Sequence, residues 1–263
     1  MFQSPGAVAF HLGPLTIHWY GILIGTGVLL CYSHVLRECK RRGINPKAID
    51  DMAFWVVLAG VLGARIYYII FEWGHFAADP WQVFQIWNGG LAIHGALIGG
   101  GLALAYFAWR HKLPWLLYAD IISPGVLLAQ ALGRWGNFFN SEAFGAPTSL
   151  PWKLFIPESN RPSGYEEFEF YHPTFLYESL WNFAGFVMLI WLARQKKMAT
   201  RRGMVFFAYI AWYSFGRFFI EGLRMDSLYL GSLRVAQIVS AVSFFFAVYL
   251  IFRSKKSSMR DTH

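Results

Sequence analysis

Apolar residues run along this chain in long blocks rather than in the stripes of a water-soluble fold. Seven blocks approach the ~20 residues needed to cross ~30 Å of hydrocarbon. They are about Ile17–Leu36, Asp50–Ile70, Leu91–Trp109, Trp115–Leu132, Thr174–Ala193, Met204–Leu223 and Leu233–Phe252. Each predicts a membrane-spanning helix, so the expected fold is an all-α polytopic membrane protein with seven transmembrane helices. Three connections share one side: Phe71–Gly90, Arg134–Pro173 and a short one at Arg224–Ser232. The second is long and Pro-rich and carries Glu158, Glu166, Glu167 and Glu169. It predicts a small extracytoplasmic cap over about 138–173, with local structure of its own, because a structureless loop of that length is unusual. The whole of 1–263 reads as one integral-membrane domain ending in a basic tail over 253–263. Gly21-Ile-Leu-Ile-Gly25 and Gly95-Ala-Leu-Ile-Gly99 are small-xxx-small patterns that predict close helix contact.

Charge sets the orientation. Basic residues follow the odd-numbered spans: Arg37, Lys40, Arg41, Arg42 and Lys47; Arg110 and Lys112; Arg194, Lys196, Lys197, Arg201 and Arg202; Arg253, Lys255, Lys256 and Arg260. These are sixteen of the 23 Lys and Arg, all on one side. The positive-inside rule makes that side cytoplasmic, with the N-terminus outside and the C-terminus inside. Composition agrees, with 56% apolar and only 14% charged residues, because a soluble protein of this length cannot hide seven such runs. The net charge of +8 would suggest nucleic acid, but its distribution is explained by topology, so no nucleic acid is expected. Cys31 and Cys39 form neither a disulfide framework nor a metal spacing. The N-terminus lacks the basic start and cleavage site of a signal peptide, so the first apolar run is expected to be retained.

Topology leaves seven basic residues unexplained: Arg65, Arg134, Lys153, Arg161, Arg217, Arg224 and Arg234. Arg134 begins a polar stretch, with Asn137, Asn140 and Glu142 close behind and Gly133, Gly136 and Gly145 flanking. The glycines predict a bend, so the helix is expected to break into a loop near Arg134. A guanidinium presents a planar fork of donors suited to phosphate. The alternative for Arg134 is an interfacial arginine that reaches to water.

Arg217, Glu221 and Arg224 follow at i, i+4 and i+7, on one helical face. Each costs ~2.5–3.5 kcal/mol near the bilayer centre. Two arginines sharing one glutamate leave a surplus cation that calls for an anion, though a purely structural Arg–Glu–Arg chain stays open. His94 is able to take a proton or simply to hydrogen-bond. Tyr20 reads equally as an aromatic-belt anchor. Glu178 opens span five. Arg65 and Asp120 are partners or helix-end residues, Asp120 lying near the cytoplasmic end. The rest fall toward the outer side, which suggests an anionic lipid headgroup with proton transfer nearby. No set has the ligand spacing of a metal site, and no Gly-x-Ser-x-Gly elbow is present. A lipid transporter, or an anionic-lipid-binding membrane protein without catalytic activity, remains the rival class. A transporter, however, calls for polar residues along a path to both faces and often for repeated halves.

The stretch Gly133-Arg-Trp-Gly-Asn-Phe-Phe-Asn-Ser-Glu-Ala-Phe-Gly145 resembles the signature of bacterial phosphatidylglycerol–prolipoprotein diacylglyceryl transferases. His18-Trp-Tyr-Gly21, His94-Gly-Ala-Leu-Ile-Gly99, His172-Pro-Thr-Phe-Leu-Tyr-Glu178 and Arg217-Phe-Phe-Ile-Glu-Gly-Leu-Arg224 are similar to other blocks of that family, in the same order. Ala96 stands where the family often has a second glycine. The resemblance implies an enzyme of the bacterial plasma membrane that moves the diacylglyceryl group of phosphatidylglycerol onto the lipobox cysteine of a preprolipoprotein. It implies Arg134 and Arg217 as the principal catalytic residues, with His94 and Tyr20 beside them. Asn137, Asn140, Glu142, Gly145, Glu178, Glu221, Arg224 and Arg65 are implied on the substrate. No cofactor is implied.

Overall fold

Among the described residues, seven helices of 18 residues or more carry the apolar blocks: α1 (Trp19–Arg42), α2 (Lys47–Phe71), α3 (Ile93–Arg110), α4 (Trp115–Asn140), α5 (Thr174–Arg194), α6 (Met204–Glu221) and α7 (Val235–Arg253). The computed structural model describes residues 1–13, 15–77, 79–85, 89–90, 92–195 and 201–253, and does not describe the side chains of His75, Ile93, His94 and Leu97. Five helices, α1, α2, α4, α5 and α7, are long and apolar enough to cross a membrane. Of the other two, α6 has Arg217 and Glu221 among its 18 residues and α3 has four glycines. The chain is therefore a mostly helical polytopic membrane protein. Large apolar side chains face outward on these helices, among them Leu29 at 66%, Leu62 at 53% and Phe245 at 70% exposure. Such a surface suits lipid and not water. Arg and Lys close the last turns of α1, α3, α5 and α7, where they also meet the negative ends of the helix dipoles. Lys196, Lys197, Lys255, Lys256 and Arg260 of the basic clusters lie outside the described residues.

The helices sort into two compact units, Leu36–Trp115 and the remainder. In the first, α2 packs on α3 through glycines. A methyl on Gly95 would lie 2.1 Å from the Gly63 carbonyl oxygen, and one on Gly99 2.2 Å from that of Ala59. The small-xxx-small reading therefore holds for Gly95 and Gly99. It fails for Gly21 and Gly25, which have open space where a side chain would stand. Arg65 of α2 is buried and committed to backbone. It donates from Nε to Val83 O at 2.9 Å, from Nη1 to Gly89 O at 2.8 Å and Gly90 O at 2.9 Å, and from Nη2 to Gln82 O. One long polar side chain thus organises the α2–α3 connection.

The second unit contains most of α1, α4, α5, α6 and α7. Asp120, at the start of α4, accepts from Gly203 N at 2.6 Å and Phe206 N at 2.8 Å and so caps α6, a helix-end role. The cap is a three-stranded sheet of β1 (Phe2–Gln3), β2 (Leu154–Phe155) and β3 (Phe170–Tyr171) in the order β1-β2-β3, with β1 parallel to β2 and β2 antiparallel to β3. Its core is Phe138, Phe144, Leu154, Ile156, Tyr171 and Phe175. Arg161 binds Ile156 O and Glu166 O, and Lys153 lies 3.7 Å from the Phe170 ring centroid. Both of these basic residues therefore serve the cap. Hairpins of Val8–Leu12 with Leu15–His18, and of Tyr229–Leu230 with Leu233–Arg234, complete the unit. The sequence pattern predicted local structure in the cap but not its three strands, since strands of two residues carry no alternation to detect.

Candidate functional site

The helix does not break at Arg134. α4 runs on to Asn140, and the expected bend at Gly133 and Gly136 is absent. Gly136 has a different task. A methyl there would lie 2.1 Å from Cδ2 of Tyr20, so the glycine is the seat for the Tyr20 ring. α4 then ends in a Schellman motif: Ser141 N reaches Phe138 O at 3.1 Å and Glu142 N reaches Asn137 O at 3.0 Å. The left-handed residue is Ser141, at φ 52°, and Ala143 follows at φ 56°. These strained positions fold the chain back over the helix end. Glu142 consequently accepts from Asn137 Nδ2 at 2.9 Å and Asn140 Nδ2 at 3.4 Å, and Asn137 Oδ1 accepts from Arg134 Nη1 at 3.5 Å. Tyr20 lies within electrostatic reach of both Glu142 and Arg134.

Backbone bonds draw three segments together around Gly145. Gly145 N donates to His172 O at 2.9 Å, His172 N to Ala146 O at 3.0 Å, and Ala146 N to Leu223 O at 2.9 Å. A methyl on Gly145 would lie 2.8 Å from His172 Cβ and 3.0 Å from Leu223 O. Only a residue without Cβ permits this approach. The segment after α4, the one before α5 and the one after α6 therefore lie side by side, which brings their charged residues to one place.

At that place three arginines meet one buried carboxylate. Glu178, in the first turns of α5, has a side chain only 5% exposed. Its Oε2 pairs with Arg134 Nη2 at 2.6 Å, and its Oε1 with Arg217 Nη1 and Arg224 Nη1, each at 3.2 Å. Arg217 Nη2 also pairs with Glu221 Oε2 at 2.5 Å. Arg224 turns to Asp226, at 2.9 Å from Nε and 2.6 Å from Nη2. Burial works against the charge of Arg224, but Asp226, then Glu178 and Glu221, outweigh it and hold its pKa above the usual arginine value. Arg234 donates to the carbonyls of Glu221 and Arg224 and fastens the turn between them.

Among the described residues, none of Arg134, Arg217 and Arg224 is left as the expected surplus cation. Arg134, Arg217 and Arg224 face Glu178, Glu221 and also Asp226. What the site offers instead is pre-arrangement. Three forks from three segments point at one oxyanion, and a phosphate presents the same acceptor geometry as a carboxylate. Arg134 and Arg217, at 22% and 18% exposed, are the more accessible two, and Arg224, at 10%, is the least.

The structure thus brings together Tyr20, Arg134, Asn137, Asn140, Glu142, Gly145, Glu178, Arg217, Glu221 and Arg224. Arg65 belongs to the Leu36–Trp115 unit. His94 begins α3 in that unit, and its side chain lies outside the described residues. Sequence reasoning missed Asp226, an ordinary loop acid by pattern. It also missed Arg234 as the fastener, although that residue stood among the basic residues topology left unexplained.

A family model for prolipoprotein diacylglyceryl transferases matches residues 7–253. The phosphatidylglycerol–prolipoprotein diacylglyceryl transferase of Synechococcus elongatus is 52% identical over 250 residues, covering 94% of this chain and 86% of that one. Its counterpart from Trichormus variabilis is 50% identical over 243 residues, covering 91% and 86%. That of Thermosynechococcus vestitus is 50% identical over 252 residues, covering 96% and 93%.

Proposed function

The chain belongs to the prolipoprotein diacylglyceryl transferase family, and from that we infer that it moves the diacylglyceryl group of phosphatidylglycerol onto the lipobox cysteine of a preprolipoprotein. The observation that carries the reading to this chain's own residues is the convergence of Arg134, Arg217 and Arg224 on Glu178. The protein sits in the bacterial plasma membrane with seven spans, the N-terminus and cap outside and the C-terminus in the cytoplasm. The basic last turns of α1, α3, α5 and α7 support that orientation.

The bond broken joins the glyceryl C3 to the phosphate oxygen. The substrate's thiolate sulfur attacks C3, a thioether forms, and glycerol phosphate leaves with the C–O electron pair. A free cysteine thiol has a pKa near ~8.5, so it must lose its proton to become reactive. His94 takes that proton. Arg134 and Arg217 hold the phosphate and balance the charge that builds on the leaving oxygen. Glu178, Glu221 and Arg224 keep the two guanidiniums in place. Asn137, Asn140, Glu142 and the seat at Gly145 shape the headgroup's surroundings, and Tyr20 closes over Gly136. Arg65 shapes the α2–α3 connection that leads to His94. Cys31 and Cys39 have no part, since the nucleophile belongs to the substrate.

The test is direct. Purified protein is incubated with phosphatidylglycerol labelled in its acyl chains and a lipobox peptide, with a Cys→Ser peptide as control. Label should move to the first peptide alone. Label retained on the lipid, with tight binding of phosphatidylglycerol, would instead make this a lipid-binding protein.

A further inference from the structure

One pattern, Trp-x-x-x-Gly, occurs on two neighbouring helices: Trp181–Gly185 on α5 and Trp212–Gly216 on α6. The two copies interlock. Trp181 Nε1 donates to the Trp212 carbonyl at 3.0 Å, and Trp212 Nε1 donates to the Trp181 carbonyl at 3.0 Å. The indoles stack with centroids 4.3 Å apart and planes at 14°. Each glycine is the socket for the opposite indole. A methyl on Gly216 would lie 2.1 Å from Trp181 Nε1, and one on Gly185 2.4 Å from Trp212 Nε1.

The physical logic is the same in both copies. A helical carbonyl already accepts from the amide four residues on, and in both helices that residue is the glycine. Without a side chain there, the carbonyl's second lone pair stays open to the indole N–H. A single contact of this kind would permit sliding. Two reciprocal contacts do not, because any slide or rotation of α5 along α6 breaks both hydrogen bonds and drives an indole into a backbone.

The lock stands beside the site. Trp181 follows Glu178 by three residues, about 4.5 Å along the helix axis, and Gly216 directly precedes Arg217. We propose that the Trp181–Trp212 lock sets the register of α5 on α6 at which Glu178 meets Arg217, making these two tryptophans positioning residues for the arginine cluster. Arg134 reaches Glu178 from α4, which is tied to α5 independently. Trp135 Nε1 donates to Ser179 Oγ at 3.2 Å, and Ser179 Oγ to Ala131 O at 2.9 Å. Loosening the lock therefore parts Arg217 from Glu178, leaving it only Glu221 of its own helix, and leaves Arg134 in place. The kinetic consequence rests on the transferase reading, but the geometric one does not.

Two variants disturb the lock by different chemistry. Trp181→Phe keeps a ring and loses the N–H; Gly216→Ala puts a methyl into the socket. Each full-length protein, purified in detergent, is treated with the arginine reagent phenylglyoxal, and labelling is followed at each arginine by peptide mass spectrometry. Transfer kinetics are measured in parallel. In Trp181→Phe, Arg217 should label about tenfold faster, the upper weight of one hydrogen bond. Arg134 and Arg161 should stay within about twofold of the unaltered protein, and kcat should fall more than KM changes. Gly216→Ala should show the same selectivity; if it does not fold, Trp181→Phe decides alone. Faster labelling at all arginines together means general loosening, and an unchanged Arg217 means a lock that only packs; either result overturns the proposal. Absence of transfer by the unaltered protein would defeat the transferase reading, while the labelling pattern would still decide about the lock.

Discussion

Replacing Glu178 by Gln asks whether the arginine cluster is held by charge. The side chain is 5% exposed and meets Arg134 at 2.6 Å and Arg217 and Arg224 at 3.2 Å each. Glutamine keeps the volume and one oxygen, removes the charge, and turns a donor toward groups that are themselves donors. Among the described residues Arg217 then keeps Glu221, Arg224 keeps Glu221 and Asp226, the latter 51% exposed, and Arg134 keeps the Asn137 amide oxygen. A single contact of this kind is worth ~4 kcal/mol at an effective dielectric of ~20. The relief of no longer burying a carboxylate offsets much of the sum. Removing one partner of a buried ion pair costs about 3–5 kcal/mol in practice. At ~2–4 °C per kcal/mol for a chain of this size, Tm should fall by roughly 6–20 °C. Thermal unfolding in detergent, followed by tryptophan fluorescence, reads this directly. A second signature is specific to charge. Phosphatidylglycerol supplies the missing anion, so it should raise the Tm of Glu178→Gln by more than that of the unaltered protein. Transfer should fall by on the order of 10²-fold. A Tm within about 1 °C of the unaltered protein, with no extra response to the lipid, would refute the idea that this carboxylate holds the cluster.

Arg134→Ala and Arg217→Ala should each lower transfer by on the order of 10²–10³-fold while the protein still inserts, as measured with a reporter preprolipoprotein and membrane fractionation. Gly136→Ala places a methyl 2.1 Å from the Tyr20 ring; it should reduce transfer about tenfold or more by moving that ring, and Gly136→Ala combined with Tyr20→Leu should be no worse than Tyr20→Leu alone. Asp120→Asn weakens the cap on Gly203 N and Phe206 N and should cost about 1 kcal/mol in thermal unfolding with kcat unchanged. Burial pushes the His172 imidazole below its ordinary value of 6.5. The unfolded chain therefore takes up the proton first, and the stability from neutral His172 is present above pH 6.5 and lost as pH falls through the folded value. Tm measured against pH should fall less steeply on the acid side in His172→Gln.

The spanning helices were legible because hydrocarbon imposes one requirement, an apolar run of sufficient length, and a chain cannot hide it. The helix ends were less so. α4 passes through Gly133, Arg134 and Gly136 because nothing in a helix forbids glycine when a neighbour needs its space, and the ring of Tyr20 needs it at Gly136. The neighbour lies more than a hundred residues away in sequence, so spacing alone registered a breaker. The stop is set five residues further on, where Ser141 takes a left-handed backbone that glycine usually supplies. No composition rule marks a serine for that position. Gly21 and Gly25 show the converse error, since the spacing that brings α2 against α3 elsewhere meets open space among the described residues here.

The charged cluster teaches more, because an incomplete count led to residues that do meet. A single helix face with two arginines and one glutamate, taken as an isolated system, demands an external anion. The folded chain supplies Glu178 from α5 and Asp226 from the following turn, so that among the described residues each of these two arginines has carboxylate partners beyond Glu221. On the proposed reading, closing the count internally would make the site competent before substrate arrives. Unpaired guanidiniums would repel one another and swing toward water; paired ones are held at fixed distances around one oxygen pair. An incoming phosphate would then meet donors already aimed, and would have to compete with a carboxylate rather than gather three flexible side chains. Such pre-arrangement favours a charge that grows along the reaction over one that is merely bound. A leaving phosphate gains negative charge as the carbon–oxygen bond opens, so a cluster that binds it, as proposed, would hold it more tightly at the end of the step than at the beginning. A cluster with a true surplus cation would bind the intact lipid strongly and gain less. The internal balance of Arg134, Arg217 and Arg224 against Glu178, Glu221 and Asp226 is therefore better suited to transfer than to storage of an anionic lipid.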